Sequence, residues 1–269
     1  MYSEKWGQCD MYEYVVVNNI KPNNFIFIKQ GVKMEKKIII TGHASGIGYH
    51  LAKRFHLSGF SVTGLDKNIT NELSGEVKQI SCDLSNENTV IDIFRELNGY
   101  HYAVNCAGIS GVRDEVKNLD KNSLLDSWEK IFIPSFLSTR EEIKMMSRIK
   151  DKHPKKIINI ASFTAMVGCK NMLAYSSAKA SIVNMTKVAA VECAPSILIN
   201  SVSPATIDTP MIRKKYNGKL PDYSKTYLTG NCGFVEDVFG AVDMLLNNKF
   251  ITGYDLVLDG GFSSSFAVR

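Results

Sequence analysis

The chain has 269 residues, 45% of them hydrophobic, which suits one α/β domain with a sizeable core. Its formal net charge of +5 is modest, and no Arg/Lys block interleaved with aromatics suggests a nucleic-acid partner. No run approaches the roughly 18 apolar residues of a membrane span and Met1 to Asp10 lacks a signal-peptide stretch, so a cytoplasmic protein without a membrane partner is expected.

Residues 1–33 show no clear period; Val15-Val16-Val17 and Phe25-Ile26-Phe27-Ile28 are their candidate strands. One codon choice for Gln30-Gly31-Val32-Lys33 places a purine-rich ribosome-binding sequence just before Met34. Residues 1–33 are therefore expected to be an over-long reading of the start, the alternative being a genuine arm packing on a partner subunit. The folded domain is expected to span residues 34–269.

Lys37-Ile38-Ile39-Ile40-Thr41 reads as a buried parallel strand. Gly42-His43-Ala44-Ser45-Gly46-Ile47-Gly48 follows, then a helical pattern through Leu51, Ala52 and Phe55. Glycines in such a turn permit positive φ and close approach of a diphosphate, which the helix-start N–H groups bind. Asp66 ends the next apolar run, Ser61 to Leu65, where a carboxylate would accept hydrogen bonds from the adenosine ribose. That carboxylate would repel a 2′-phosphate, so NAD(H) is expected over NADP(H). Lys67 is expected to soften this preference at most. His43 is read either as an adenosine contact or, at least as readily, as a polar loop residue.

Further strands are expected near Val77, Tyr102, Lys156, Ile197 and Tyr254, with helices between them. Seven such strands give the fold class α/β, a single doubly wound parallel sheet of Rossmann type with helices on both faces. Ligands bind such sheets beyond the carboxyl ends of the strands. On the helix that begins near Tyr175, a spacing of four puts Tyr175 and Lys179 on one face, where an ammonium can favour the phenolate. With the Ser162 hydroxyl, these groups make a candidate proton-transfer site. The six cysteines, scattered without a Cys-x-x-Cys pair, suit reduced thiols and give no reason to expect a metal.

Together these motifs resemble the short-chain dehydrogenase/reductase family over Lys36 to Phe262. Thr41-Gly42-x-x-x-Gly46-x-Gly48, with Ser45 and Ile47, resembles its cofactor turn, and Cys82-Asp83-Leu84 the segment that meets the adenine. Asn105-Cys106-Ala107-Gly108 is similar to its Asn-Asn-Ala-Gly strand end, and Pro204-Ala205-Thr206-Ile207-Asp208-Thr209 to the segment touching nicotinamide and diphosphate. The resemblance implies hydride transfer between nicotinamide and an alcohol or carbonyl carbon. Tyr175 would exchange the proton, Lys179 would hold the nicotinamide ribose, and Ser162 would bond the substrate oxygen. The helix asparagine of the family's water relay falls at Ser135, beside Pro134, which would expose a main-chain carbonyl for the same water. Ala205 replaces a family glycine. These departures keep open a catalytically weak NAD(H)-binding sensor. Met211 to Phe234, the short substrate lobe, holds Arg213, Lys214, Lys215, Lys219 and Lys225, read as a cradle for an anionic substrate or as solvated surface. The helices from Trp128 to Met146 and Tyr175 to Val191, with the carboxyl-terminal strand, are expected to build a homotetramer, the alternative being a monomer in which residues 1–33 fold back over this surface.

Overall fold

The computed structural model describes residues 36–264, so the expectations for residues 1–33 lie outside the described residues. Strands β1 (Lys37–Thr41), β2 (Ser61–Asp66), β3 (Lys78–Ser81), β4 (Tyr102–Asn105), β5 (Lys155–Ile160), β6 (Ile197–Pro204) and β7 (Asp255–Leu258) alternate with helices. The helices are α1 (Gly46–Leu57), α2 (Glu87–Glu96), α3 (Lys121–Met146), α4 (Leu173–Cys193), α5 (Pro210–Lys215) and α6 (Val235–Asn247). The strands form one sheet in the order β3-β2-β1-β4-β5-β6-β7, and every pairing is parallel.

The apolar run of β1 shows why this strand lies at the centre. Successive side chains of a strand point to opposite faces, and Ile38 and Ile40 pack with Leu51, Phe55, Val242 and Leu245 of α1 and α6. Ile39 faces the other way, packing with Phe94, Leu137 and Ala189 of α2, α3 and α4. All three isoleucines are fully buried, each contributing about 1.5–3 kcal/mol of apolar burial. The chain winds outward from β1 through β2 to β3, then returns to β4 on the other side of β1. That reversal opens a crevice beyond the carboxyl ends of β1 and β4.

Helix starts are set by polar caps. Asp120 accepts hydrogen bonds from the Asn122 and Ser123 N–H groups, so α3 begins earlier than the hydrophobic pattern from Trp128 indicates. Asn86 caps α2 by accepting from Thr89 N–H. Among the described residues, no helix is long and apolar enough to cross a membrane.

Candidate active site

The crevice is a cavity of about 750 Å³ that reaches from Asp66 at one end to Ser162 and Tyr175 at the other. Its floor is the turn after β1. Gly42 has φ +72°, and a Cβ there would stand 2.8 Å from the Ala107 main chain. A Cβ on Gly48 would meet the Gly42 carbonyl oxygen at 2.1 Å, so only glycine lets α1 start directly against the turn. Ser45 is the N-cap of α1 but makes no side-chain cap bond, and the first turn holds no acid. The positive end of α1, where Gly46 and Ile47 line the cavity, is thus left for an anionic ligand.

Asp66 ends β2 at the cavity wall, its carboxylate accepting from Ala44 N–H at 3.2 Å and Asn68 N–H at 2.9 Å. Lys67 lines the same cavity and pairs with Asp83, 3.0 Å distant. Burial opposes ionisation of Asp83, but bonds from Ser85 and Lys67 hold its carboxyl below the usual range. His43 is a residue of the turn between β1 and α1, as its second reading has it, but its side chain points inward and does not line the cavity. It is fully buried, its Nε2 lies 2.9 Å from Gln79 Oε1, and its ring occupies the space a Cβ on Gly64 would need.

On the opposite wall, α4 carries Tyr175 and Lys179 on one face. Lys179 Nζ lies 5.9 Å from the Tyr175 ring centroid and donates to the Ile160 carbonyl at 2.8 Å. Burial pulls the Lys179 pKa down to about 8. Burial also raises the Tyr175 pKa, opposed by a hydrogen bond with Ser162 and by the positive charge of Arg113. Arg113, whose position five residues beyond Gly108 gives no motif by which to find it, thus adds a positive charge near the phenol. Ser162 Oγ accepts from Thr164 N–H at 3.3 Å, which fixes the hydroxyl at the end of β5.

Ser45, Asp83, Leu84, Ala107, Gly108, Pro204, Ala205, Ile207 and Thr209 all line the same cavity. Thr41, Gly48, Asn105 and Ser135 do not. Thr41 Oγ1 accepts from the N–H groups of Cys106 (3.0 Å) and Ala107 (3.2 Å), tying the turn after β1 to the end of β4 from beneath. Ser135 is buried, with Oγ donating to Ile131 O of its own helix at 3.4 Å. Pro134 does line the cavity, as does Lys130, whose carbonyl receives no i+4 bond because proline has no N–H. Helix α3 nevertheless continues unbroken through Pro134. Of the lobe residues, Met211 and Ile212 line the cavity, whereas Arg213 pairs with both oxygens of Asp208 at 2.7 and 2.6 Å.

The residues fit a dinucleotide: a glycine cradle, an uncapped helix start, the Asp66 carboxylate and a phenol–ammonium–hydroxyl wall share one cavity. A parallel sheet with this site at its switch point is that of a nicotinamide-dependent oxidoreductase. Comparison with known proteins agrees. A family model described as enoyl-(acyl carrier protein) reductase matches residues 42–263, and the chain belongs to the short-chain dehydrogenase/reductase family. The NAD-dependent glycerol dehydrogenase of Listeria innocua is 29% identical over 245 residues, covering 85% of this chain and 94% of that protein. The aldohexose dehydrogenase of Thermoplasma acidophilum, in ligand-free form, matches with a TM-score of 0.78 and 29% identity, covering 87% of this chain and 96% of that one. ElxO with NADP bound matches with a TM-score of 0.78 and 26% identity over 86% of this chain and all of that one.

Proposed function

We propose that the protein interconverts an alcohol and its carbonyl compound with NAD(H) in preference to NADP(H). The observation that carries this reading is one cavity with Asp66 at the adenosine end and Ser162, Tyr175 and Lys179 at the other. Asp66 would accept from a ribose hydroxyl and repel a 2′-phosphate, and Lys67, which lines the same end of the cavity and pairs with Asp83, would soften that preference at most. Gly42, Gly46 and Ile47 would hold the diphosphate, Asp83 and Leu84 the adenine, and Pro204, Ile207 and Thr209 the nicotinamide end. When bound, the dinucleotide supplies or accepts the hydride. Tyr175 takes the hydroxyl proton during oxidation and returns it to the carbonyl oxygen during reduction. Ser162 donates a hydrogen bond to that oxygen. Lys179 holds the ribose and brings positive charge to the same wall. The Lys130 carbonyl freed by Pro134 takes the place of the missing helix asparagine in binding the relay water.

The substrate side is walled by Ile109, Met211 and Ile212, and Arg213 is engaged by Asp208. The apolar wall and the engaged Arg213 favour an uncharged alcohol or ketone, and the Arg113 charge near Tyr175 is the feature that would suit an anion instead. Free, scattered thiols among the described residues support a reducing cytoplasm, and the assembly proposed is a homotetramer. Initial rates with NADH and NADPH against matched panels of neutral ketones and oxo acids test the reading. Faster turnover with NADH and neutral ketones is expected. An equal or greater rate with NADPH removes Asp66 as the cofactor selector, and faster turnover of oxo acids restores the anionic substrate.

A further inference from the structure

Beneath the crevice lies a buried polar network that the reaction as described does not use. Glu142 on α3 is completely buried. Its Oε2 accepts from Asn105 Nδ2 at 2.8 Å, while Oε1 has no hydrogen-bond partner among the described residues. The same Asn105 amide lies 3.2 Å from Thr139 Oγ1 and 3.0 Å from Asn159 Oδ1. Asn159 Nδ2 donates to Thr186 Oγ1 at 2.9 Å. The groups joined to Glu142 thus come from β4 (Asn105), β5 (Asn159), α4 (Thr186) and its own helix (Thr139), and none is charged. The charged residues beside it in sequence, Arg140, Glu141 and Lys144, pair with one another and with Glu87 of α2.

Asn105 also leads upward. Thr41 Oγ1 donates to Asn105 Oδ1 at 3.4 Å and itself accepts from the Cys106 and Ala107 N–H groups. Gly42, directly after Thr41, packs against Ala107, and both line the cofactor cavity. A chain of three side chains therefore runs from Glu142 to the main chain that forms the dinucleotide floor.

We propose that Glu142 is a positioning residue for the dinucleotide: through Asn105 and Thr41 its carboxyl group holds the end of β4 against the glycine turn, and its protonation state is linked to cofactor binding. An ionised carboxylate enclosed without a cation and with one oxygen unpartnered is costly, whereas the neutral acid is tolerated. Burial accordingly pushes the Glu142 pKa up to about 8, against the opposing bond from Asn105. The closed, cofactor-bearing arrangement keeps this proton. Ionisation favours arrangements in which the carboxylate reaches water, and these disturb Asn105 and the floor above it. By reciprocity, cofactor binding retains the proton as much as the proton strengthens cofactor binding.

Glu142→Gln keeps the size and the acceptor for Asn105 but cannot ionise. Fluorescence titrations of wild type and Glu142→Gln with NADH, or with NADPH if that binds more tightly, at pH 6.5 and 9.5 provide the test. Lys179 titrates in both proteins, so the comparison isolates Glu142. The Kd of wild type is expected to rise at least about threefold more than that of Glu142→Gln over this range. The two are expected to bind alike at pH 6.5. A purely structural role would shift Tm without changing the slope of Kd with pH, and equal slopes overturn the proposal. Should Glu142→Gln fail to fold, Glu142→Leu and the wild-type proton uptake on cofactor binding near pH 8, measured by calorimetry in two buffers, replace it. A Leu variant with the wild-type slope, or a wild type with no uptake, likewise overturns the proposal. Binding is read without turnover, so a mistaken substrate class or cofactor preference leaves this test intact.

Discussion

Tyr175 is the one proposed group that exchanges a proton with substrate. Tyr175→Phe keeps the ring against Lys179, so NADH affinity should stay near wild type while kcat falls roughly 10²-fold or more. A stopped-flow titration beside steady-state rates checks this, and near-normal turnover would remove Tyr175 from the mechanism. Lys179 adds a pH dependence. Its folded pKa is pulled by burial from an ordinary 10.5 to about 8, so the ammonium proposed to hold the ribose disappears as pH rises through 8. Reduction needs both that ammonium and the neutral phenol, so reductive kcat/KM should decline above about pH 8. The unfolded chain keeps the lysine proton up to about pH 10.5, so this group's contribution to stability rises between pH 8 and 10.5. A pH–rate profile that stays flat to pH 9.5, or a decline that follows unfolding measured by circular dichroism, would contradict this assignment.

Among the elements, strands and motifs were largely legible because their signals are local. The runs at Lys37, Ser61, Tyr102, Lys156 and Ile197 all fall in or at the start of observed strands. The glycine turn, Asp66 and the Tyr175–Lys179 pair needed only a strand or helix period to be placed. What escaped depends on register between distant segments. Pairing of β4 with β5 sets Asn105 beside Asn159, which draws Glu142 into the core network. Packing of β2 beneath the turn buries His43 on Gly64. Neither contact leaves a pattern along the chain. Helix α3 shows the same limit: Ser135 occupies the aligned position but faces its own helix, whereas the neighbouring Pro134 faces the cavity. If the freed Lys130 carbonyl holds the relay water, Pro134→Ala restores the helix bond and should lower kcat about threefold to tenfold with little change in cofactor Kd. It should raise or preserve Tm, since proline inside a helix costs about 3 kcal/mol. A loss of Tm with unchanged kcat would show that Pro134 serves packing alone.

At the scale of the whole molecule, the apolar face shared by α3 and α4 has no cover among the described residues. Ile131, Ile182 and Val183 are buried between the two helices, but Phe132, Phe136, Met185 and Val188 line an outer groove of about 690 Å³. Phe136 is 36% exposed and Val188 49% exposed. A helix that stays apolar beyond its core-facing stripe is normally covered on a second side. We propose that a second copy related by two-fold symmetry presents the same patch to this face, and a further two-fold contact along the β7 edge would complete a tetramer. Burying such a face on both partners would remove apolar surface at about 25 cal/mol per Å². Light scattering at micromolar concentration should therefore give a tetramer for chains beginning at Met1 and at Met34. Val188→Asp, which places a charge in the groove but away from Tyr175 and Lys179, should reduce the mass to that of a dimer or monomer. A monomeric mass for both unmodified chains defeats the prediction. A tetramer only from Met34 would make residues 1–33 a regulator of assembly, and a tetramer that survives Val188→Asp would move the interface to another face.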